Sequence, residues 1–124
     1  MSWLYDSHIH LSDREYEKDI PYIINSLEFL KLKACCVSVD YETSVNSLNL
    51  SKKSKNILPF IGVHPEMAQN NTKKVLQIIE DVNEEITGIG EIGLDRTYIK
   101  SEDEWVIQKK VFSEQLTLAE KLQK

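Results

Sequence analysis

Asp6-Ser7-His8-Ile9-His10 directly follows the apolar run Trp3-Leu4-Tyr5. Successive side chains on a β-strand alternate faces, so His8 and His10 point the same way and their ring nitrogens can converge on one ion. They are candidate metal ligands. Two histidines at this spacing also arise by chance and can face solvent at a strand end, so the pair alone decides little. Its company gives it weight: Gly62-Val63-His64-Pro65 and Gly88-Ile89-Gly90-Glu91-Ile92-Gly93-Leu94-Asp95 again set metal-compatible side chains just after a β-branched run.

Beyond the first strand, Ser12 and Glu15 have capping-box spacing and predict a short helical turn. The first full helix takes Asp19 as N-cap and Pro21 in its first turn, with Ile23, Ile24, Leu27 and Leu30 as its core stripe. Ala34 to Val39 reads as a second strand, covered on both faces. Asp40, Glu42 and Thr43 follow and are read first as a helix N-cap. A short helix with Leu48 and Leu50 ends near Lys52-Lys53-Ser54-Lys55, where cations are favoured. Ile57 to Val63 forms the third strand, and Pro65 turns the chain out of it. Asn71-Thr72 starts a helix with Val75, Ile78, Ile79 and Val82 inward. Ile86 to Ile92 forms the fourth strand, and Ser101 with Glu104 opens a long helix carrying Val106, Ile107, Val111, Phe112, Leu116, Leu118, Ala119 and Leu122.

Strand and helix thus alternate four times, with strands starting near 3, 34, 57 and 86. This pattern predicts an α/β fold with a parallel sheet and right-handed crossovers, as one domain over residues 1–124. In such a sheet the loops after the strands gather at one end, where His8, His10, His64, Glu91 and Asp95 all fall. Glu91 weighs most among them. A carboxylate within an apolar strand is costly unless it is paired, hydrogen-bonded or bound to a cation.

The 124 residues are 41% hydrophobic and 28% charged, the composition of an ordinary globular domain and not of a disordered chain. No apolar run approaches the roughly 20 residues of a spanning helix, and no basic-then-apolar leader opens the sequence, so a cytoplasmic protein without a membrane partner is expected. The formal net charge of −5 argues against broad electrostatic attraction to nucleic acid. A phosphodiester substrate would need metal ions or a local basic patch. Cys35 and Cys36 are adjacent on a strand and read as buried thiols, not as a disulfide, and a zinc role has only weak support because no CxxC spacing is present.

With these residues in place, the chain resembles the N-terminal half of a TatD-type metal-dependent hydrolase, a (β/α)8 TIM-type barrel of the amidohydrolase superfamily. The resemblance rests on Asp6 to His10, Gly62 to Pro65, Gly90 to Asp95 and the helix Gln108 to Ala119 with Phe112, Gln115, Leu116 and Leu118. It implies that His8 and His10 bind one divalent ion (Zn, Mg or Mn) and that Glu91 bridges it to a second. It also implies that His64, and Asp95 likewise, lies close to the substrate or just behind the metal ligands, as catalytic candidates beside Glu91. The implied activity is hydrolysis of phosphodiester bonds, as in a deoxyribonuclease, by a metal-activated water, with DNA as the implied partner. An amidohydrolase acting on C–N bonds shares the early His-x-His, but GVHP and GEIGLD weigh against it.

A member of that family continues into a fifth strand with another metal-binding histidine beside an arginine, then into strands with one more histidine and an aspartate. Three histidines and one glutamate are part of such a set, and eight βα units take about 250 residues. Four units form an open half-barrel with exposed edges. Self-association through those edges is therefore expected; the alternative is a truncated, non-catalytic remnant acting as an assembly or binding module.

Overall fold

Four short runs rich in β-branched and aliphatic residues pair side by side in the computed structural model, which describes residues 2–124. They are β1 (Leu4–Ile9), β2 (Leu32–Val37), β3 (Ile57–Ile61) and β4 (Gly88–Ile89), all parallel, in the sheet order β1-β2-β3-β4. Four helices alternate with them: α1 (Ile20–Phe29), α2 (Tyr41–Lys53), α3 (Thr72–Asp81) and α4 (Glu102–Leu122). This is the predicted α/β half-barrel of four βα units.

Alternation along the strands decides which face the helices cover. Ala34, Cys36, Ile57 and Ile61 are buried, while Cys35, Leu58 and Phe60 between them are only half-buried on the opposite face. Two apolar cores result. One joins Leu11, Ile20 and Leu27 to Ala34, Cys36, Leu50 and Ile57; the other joins Leu48, Ile61, Val63, Val75, Ile79, Ile86 and Val111. Neither cysteine is in a disulfide.

Several boundaries depart from the sequence reading. The turn after β1, Arg14–Tyr16, is capped by Asp13, whose Oδ1 accepts from the Glu15 amide at 3.1 Å, and not by Ser12. α2 is a full 13 residues because Asp40 and Thr43 cap it reciprocally: Asp40 Oδ1 accepts from Thr43 N at 2.9 Å and Thr43 Oγ1 accepts from Asp40 N at 3.1 Å. Such a cap contributes about 1 kcal/mol. β3 ends at Ile61 and β4 at Ile89, so Glu91 lies past the strand in which it was expected. Leu30, read as part of the α1 core stripe, is exposed, and so are Val106, Ile107 and Leu116 from the apolar set of the long helix.

Two glutamines on α4 fasten the helix to the strand ends. Gln115 takes both polar groups of one residue: Val63 N donates to its Oε1 at 2.7 Å, and its Nε2 donates to Val63 O at 3.1 Å. Gln108 treats Asp95 likewise, accepting from its N at 2.8 Å and donating to its O at 3.0 Å, with a further bond to Pro65 O at 3.3 Å. Both side chains are 1% exposed. Gln115→Leu keeps the volume but strands the amide and carbonyl of Val63 in the core, so unfolding in urea is expected to show a loss of about 2–4 kcal/mol.

Candidate metal centre

β1 delivers His8 and, one residue beyond its end, His10. The strand is irregular here, with a register shift between Asp6 and Ile9, and Asp6 Oδ1 accepts from the His8 amide at 3.0 Å. The two rings nevertheless turn to one side. Their Nε2 atoms are 3.2 Å apart, with the rings edge to face at 68°.

Glu91 comes from the opposite edge of the sheet and reaches this pair through a backbone detour. Gly90 N still donates to Ile61 O of β3 at 3.0 Å, but the chain then crosses to the residue just past β2: Glu91 N donates to Ser38 O at 2.7 Å, and Ser38 N to Gly90 O at 3.4 Å. The Gly90–Glu91 peptide is cis. The crossing passes directly over Gly62, where a Cβ would lie 2.5 Å from Glu91 O and 2.7 Å from Gly90 C. Gly62 is therefore the residue that admits the detour. It brings Glu91 Oε1 to 3.1 Å from His8 Nε2 and Oε2 to 3.7 Å from His10 Nε2.

One ligand atom from each of His8, His10 and Glu91 lies within 4.8 Å of the others. The three measured separations, 3.1, 3.2 and 3.7 Å, bracket the roughly 3.3 Å between ligand atoms around a tetrahedral ion with bonds of about 2.0–2.1 Å. Two imidazole nitrogens and a carboxylate also form a borderline donor set suited to Zn or Mn. The residues fit a divalent cation.

His64 and Asp95 stand outside this cluster. His64 begins the turn Pro65–Met67; its N donates to Val39 O at 2.9 Å and its Nδ1 accepts from the Glu66 amide at 3.2 Å. That bond assigns the proton of the neutral ring to Nε2, which is left as a donor. The ring meets Tyr98 edge-on, with centroids 5.6 Å apart. Asp95 caps the turn Arg96–Tyr98, accepting from Thr97 N at 2.8 Å and Thr97 Oγ1 at 2.6 Å. The hydroxyl bond first, then the amide bond, holds its carboxyl below the ordinary carboxylate value. Cys35 takes no part: burial, and then the Asp6 carboxylate, push its thiol upward, which keeps it protonated near neutrality.

Gly62, Gln108, Gln115 and Tyr98 were not singled out for these positions by the sequence reading. The signal for the glutamines was available, since 108 and 115 are two helical turns apart on the same stripe as Val111 and Leu118. A polar pair on an apolar stripe marks buried hydrogen bonds.

A model of the family described as TatD related DNase matches residues 5–124. An uncharacterized metal-dependent hydrolase of Bacillus subtilis, YabD, is 31% identical over 122 residues, covering 96% of this chain and 47% of that protein. A metal-dependent hydrolase of Methanocaldococcus jannaschii shows the same identity and coverage. The crystal structure of YjjV, a TatD homolog from Escherichia coli, superposes with a TM-score of 0.80 at 21% identity, over 97% of this chain and 48% of the other. The chain thus spans about half the length of the curated relatives it matches.

Gly62→Ala drives a methyl group into the Glu91 backbone, so a stability loss of about 1–3 kcal/mol is expected in urea unfolding, with the Glu91 carboxylate displaced from both imidazoles in a crystal structure. Thr97→Val is expected to raise the Asp95 pKa toward its ordinary value, read by carboxyl NMR titration. Because the folded-state pKa is depressed, this carboxylate stabilises the fold above its unfolded-state pKa, and that contribution is lost as pH falls through the folded value. The acid limb of stability should accordingly flatten in Thr97→Val.

Proposed function

The chain belongs to the TatD-related DNase family, and from that premise we propose that His8, His10 and Glu91 hold a divalent metal ion in a site that hydrolyses phosphodiester bonds, with DNA as the substrate class. The observation that carries this reading is the meeting of one ligand atom from each of three residues within 4.8 Å. When bound, the ion supplies Lewis acidity, which activates water near neutral pH and offsets negative charge on a phosphoryl group. That charge matters here, because the chain itself carries a formal net charge of −5.

The protein's own groups have separate tasks. Glu91 turns one oxygen toward each imidazole, so its carboxylate would offset one of the two charges of a divalent cation and leave the other for the substrate phosphate. His64, with its Nε2 proton free, donates a hydrogen bond to a substrate oxygen. Asp95 acts by holding the turn that carries Tyr98 against His64. Domain organisation follows the same reading, with residues 1–124 as one partial hydrolase domain. Its partners are the phosphodiester and, through the uncovered sheet edges, a second copy of the chain.

A second reading is a metal-binding scaffold without hydrolytic activity, favoured by a donor cluster of only three residues among those described. Calorimetric titration with zinc and with manganese separates these. Wild type is expected to bind, while His10→Ala and Glu91→Ala bind at least about tenfold more weakly, as loss of a ligand dictates; equal uptake by all three would overturn the site. Metal-dependent cleavage of single-stranded DNA, abolished by EDTA and by Glu91→Ala, is the result expected of the hydrolase. Binding without cleavage selects the scaffold.

A further inference from the structure

Tyr41 is the one large apolar side chain exposed in the second and third βα units among the described residues, at 39%. Both of those units have a neighbouring unit on either side, so its exposure belongs to the fold and not to an edge of the sheet. A single exposed ring needs no explanation by itself. Position and company give this one a meaning. Tyr41 is the first residue of α2, at the end of the sheet that carries the metal cluster. Glu91 N donates to Ser38 O at 2.7 Å and His64 N to Val39 O at 2.9 Å, so the segment leading into Tyr41 is bonded to the backbone of both. Tyr41 is three positions beyond Ser38, a reach of at most about 11 Å. Asp40 caps α2 through Thr43 and so fixes the point from which the ring projects.

The Lys74 ammonium, from α3, lies over the Tyr41 ring, 5.4 Å from its centroid. Lys73 and Lys74 are both exposed, and among the described residues neither forms an ion pair with a carboxylate. The nearest acid in sequence to Tyr41 on α2, Glu42, is engaged by Arg14 at 2.9 Å. A π-face and an unpaired cation beside a phosphodiester site are the parts of a single-strand nucleotide site. We infer that Tyr41 and Lys74 form a nucleotide subsite, in which an unpaired base stacks on the Tyr41 ring and the Lys74 ammonium turns from the ring to the adjoining phosphate. The inference rests on the DNA reading of the metal centre and names residues that recognise the strand there. A base within a duplex has its faces stacked on its neighbours, so the subsite takes single strands. The two lysines also supply a local positive patch, which a chain of net charge −5 needs in order to hold a polyanion.

Fluorescence anisotropy in EDTA at low salt tests this, with labelled oligothymidylate and an abasic strand of equal length as probes. Wild type is expected to bind oligothymidylate at least about fivefold more tightly than the abasic strand, as one stacked base dictates. Tyr41→Ala is expected to abolish that preference and Tyr41→Phe to keep it, with circular dichroism unchanged in both because the side chain is on the surface. Lys74→Ala is expected to weaken both strands alike and to lower the slope of log K against log salt by about 0.7, the share of one phosphate contact. Equal binding of the two strands by wild type, including none of either, or a preference that survives Tyr41→Ala, would overturn the subsite. No metal is present in this assay, so its outcome is independent of cleavage. A protein that hydrolyses DNA yet binds both strands equally loses only the subsite; one that prefers oligothymidylate yet never cleaves loses only the hydrolase reading.

Discussion

Everything at the candidate metal centre depends on one close approach, that of the Gly90–Glu91 backbone over Gly62. β1 and β4 are at opposite edges of the sheet, and no side chain spans that distance. The carboxylate arrives because the main chain itself leaves β3 and hydrogen-bonds to Ser38 beyond β2. An atom at the Gly62 Cβ position would occupy the path. A missing methyl group on β3 thus governs whether a residue after β4 meets two residues of β1.

The buried amides of α4 supply the second constraint. Val63 and Asp95 each have both main-chain polar groups satisfied by one glutamine side chain, in surroundings where an unmade hydrogen bond costs about 1–3 kcal/mol. Strand pairing cannot do this work, because β3 stops at Ile61 and β4 at Ile89. The helix takes over where the sheet ends, and it does so next to His64 and Asp95.

Much of this was legible in the residues. Four strand–helix units, the parallel sheet and the convergence of His8 with His10 follow from alternation and spacing, which report local geometry directly. Glu91 is instructive in a different way. It was singled out as a carboxylate inside a strand, yet it lies past β4, so the premise failed while the residue still meets both imidazoles. Periodicity cannot mark where β4 stops, because the stop is set by Gly62 and Ser38, distant in sequence. The apolar residues of α4 are a related case: the sequence reading named Val106, Ile107, Val111 and Leu116 together, and only the packing separates the buried Val111 from the exposed other three. His64 and Asp95 were grouped with the ligands because both follow strands. Their side chains instead bind neighbouring backbone amides, a short-range competition that the sequence does not resolve.

The seven-residue interval between Gln108 and Gln115 has a dynamic consequence. Two turns of helix span about 11 Å of stiff rod; Gln115 grips the segment beyond β3, and Gln108 grips the segments beyond both β3 and β4. Thermal displacement of α4 therefore carries Val63, Pro65 and Asp95 together, as a lever carries its attachments. The segments following β3 and β4 are thereby tied to one rod, which opposes any motion that would open either loop on its own.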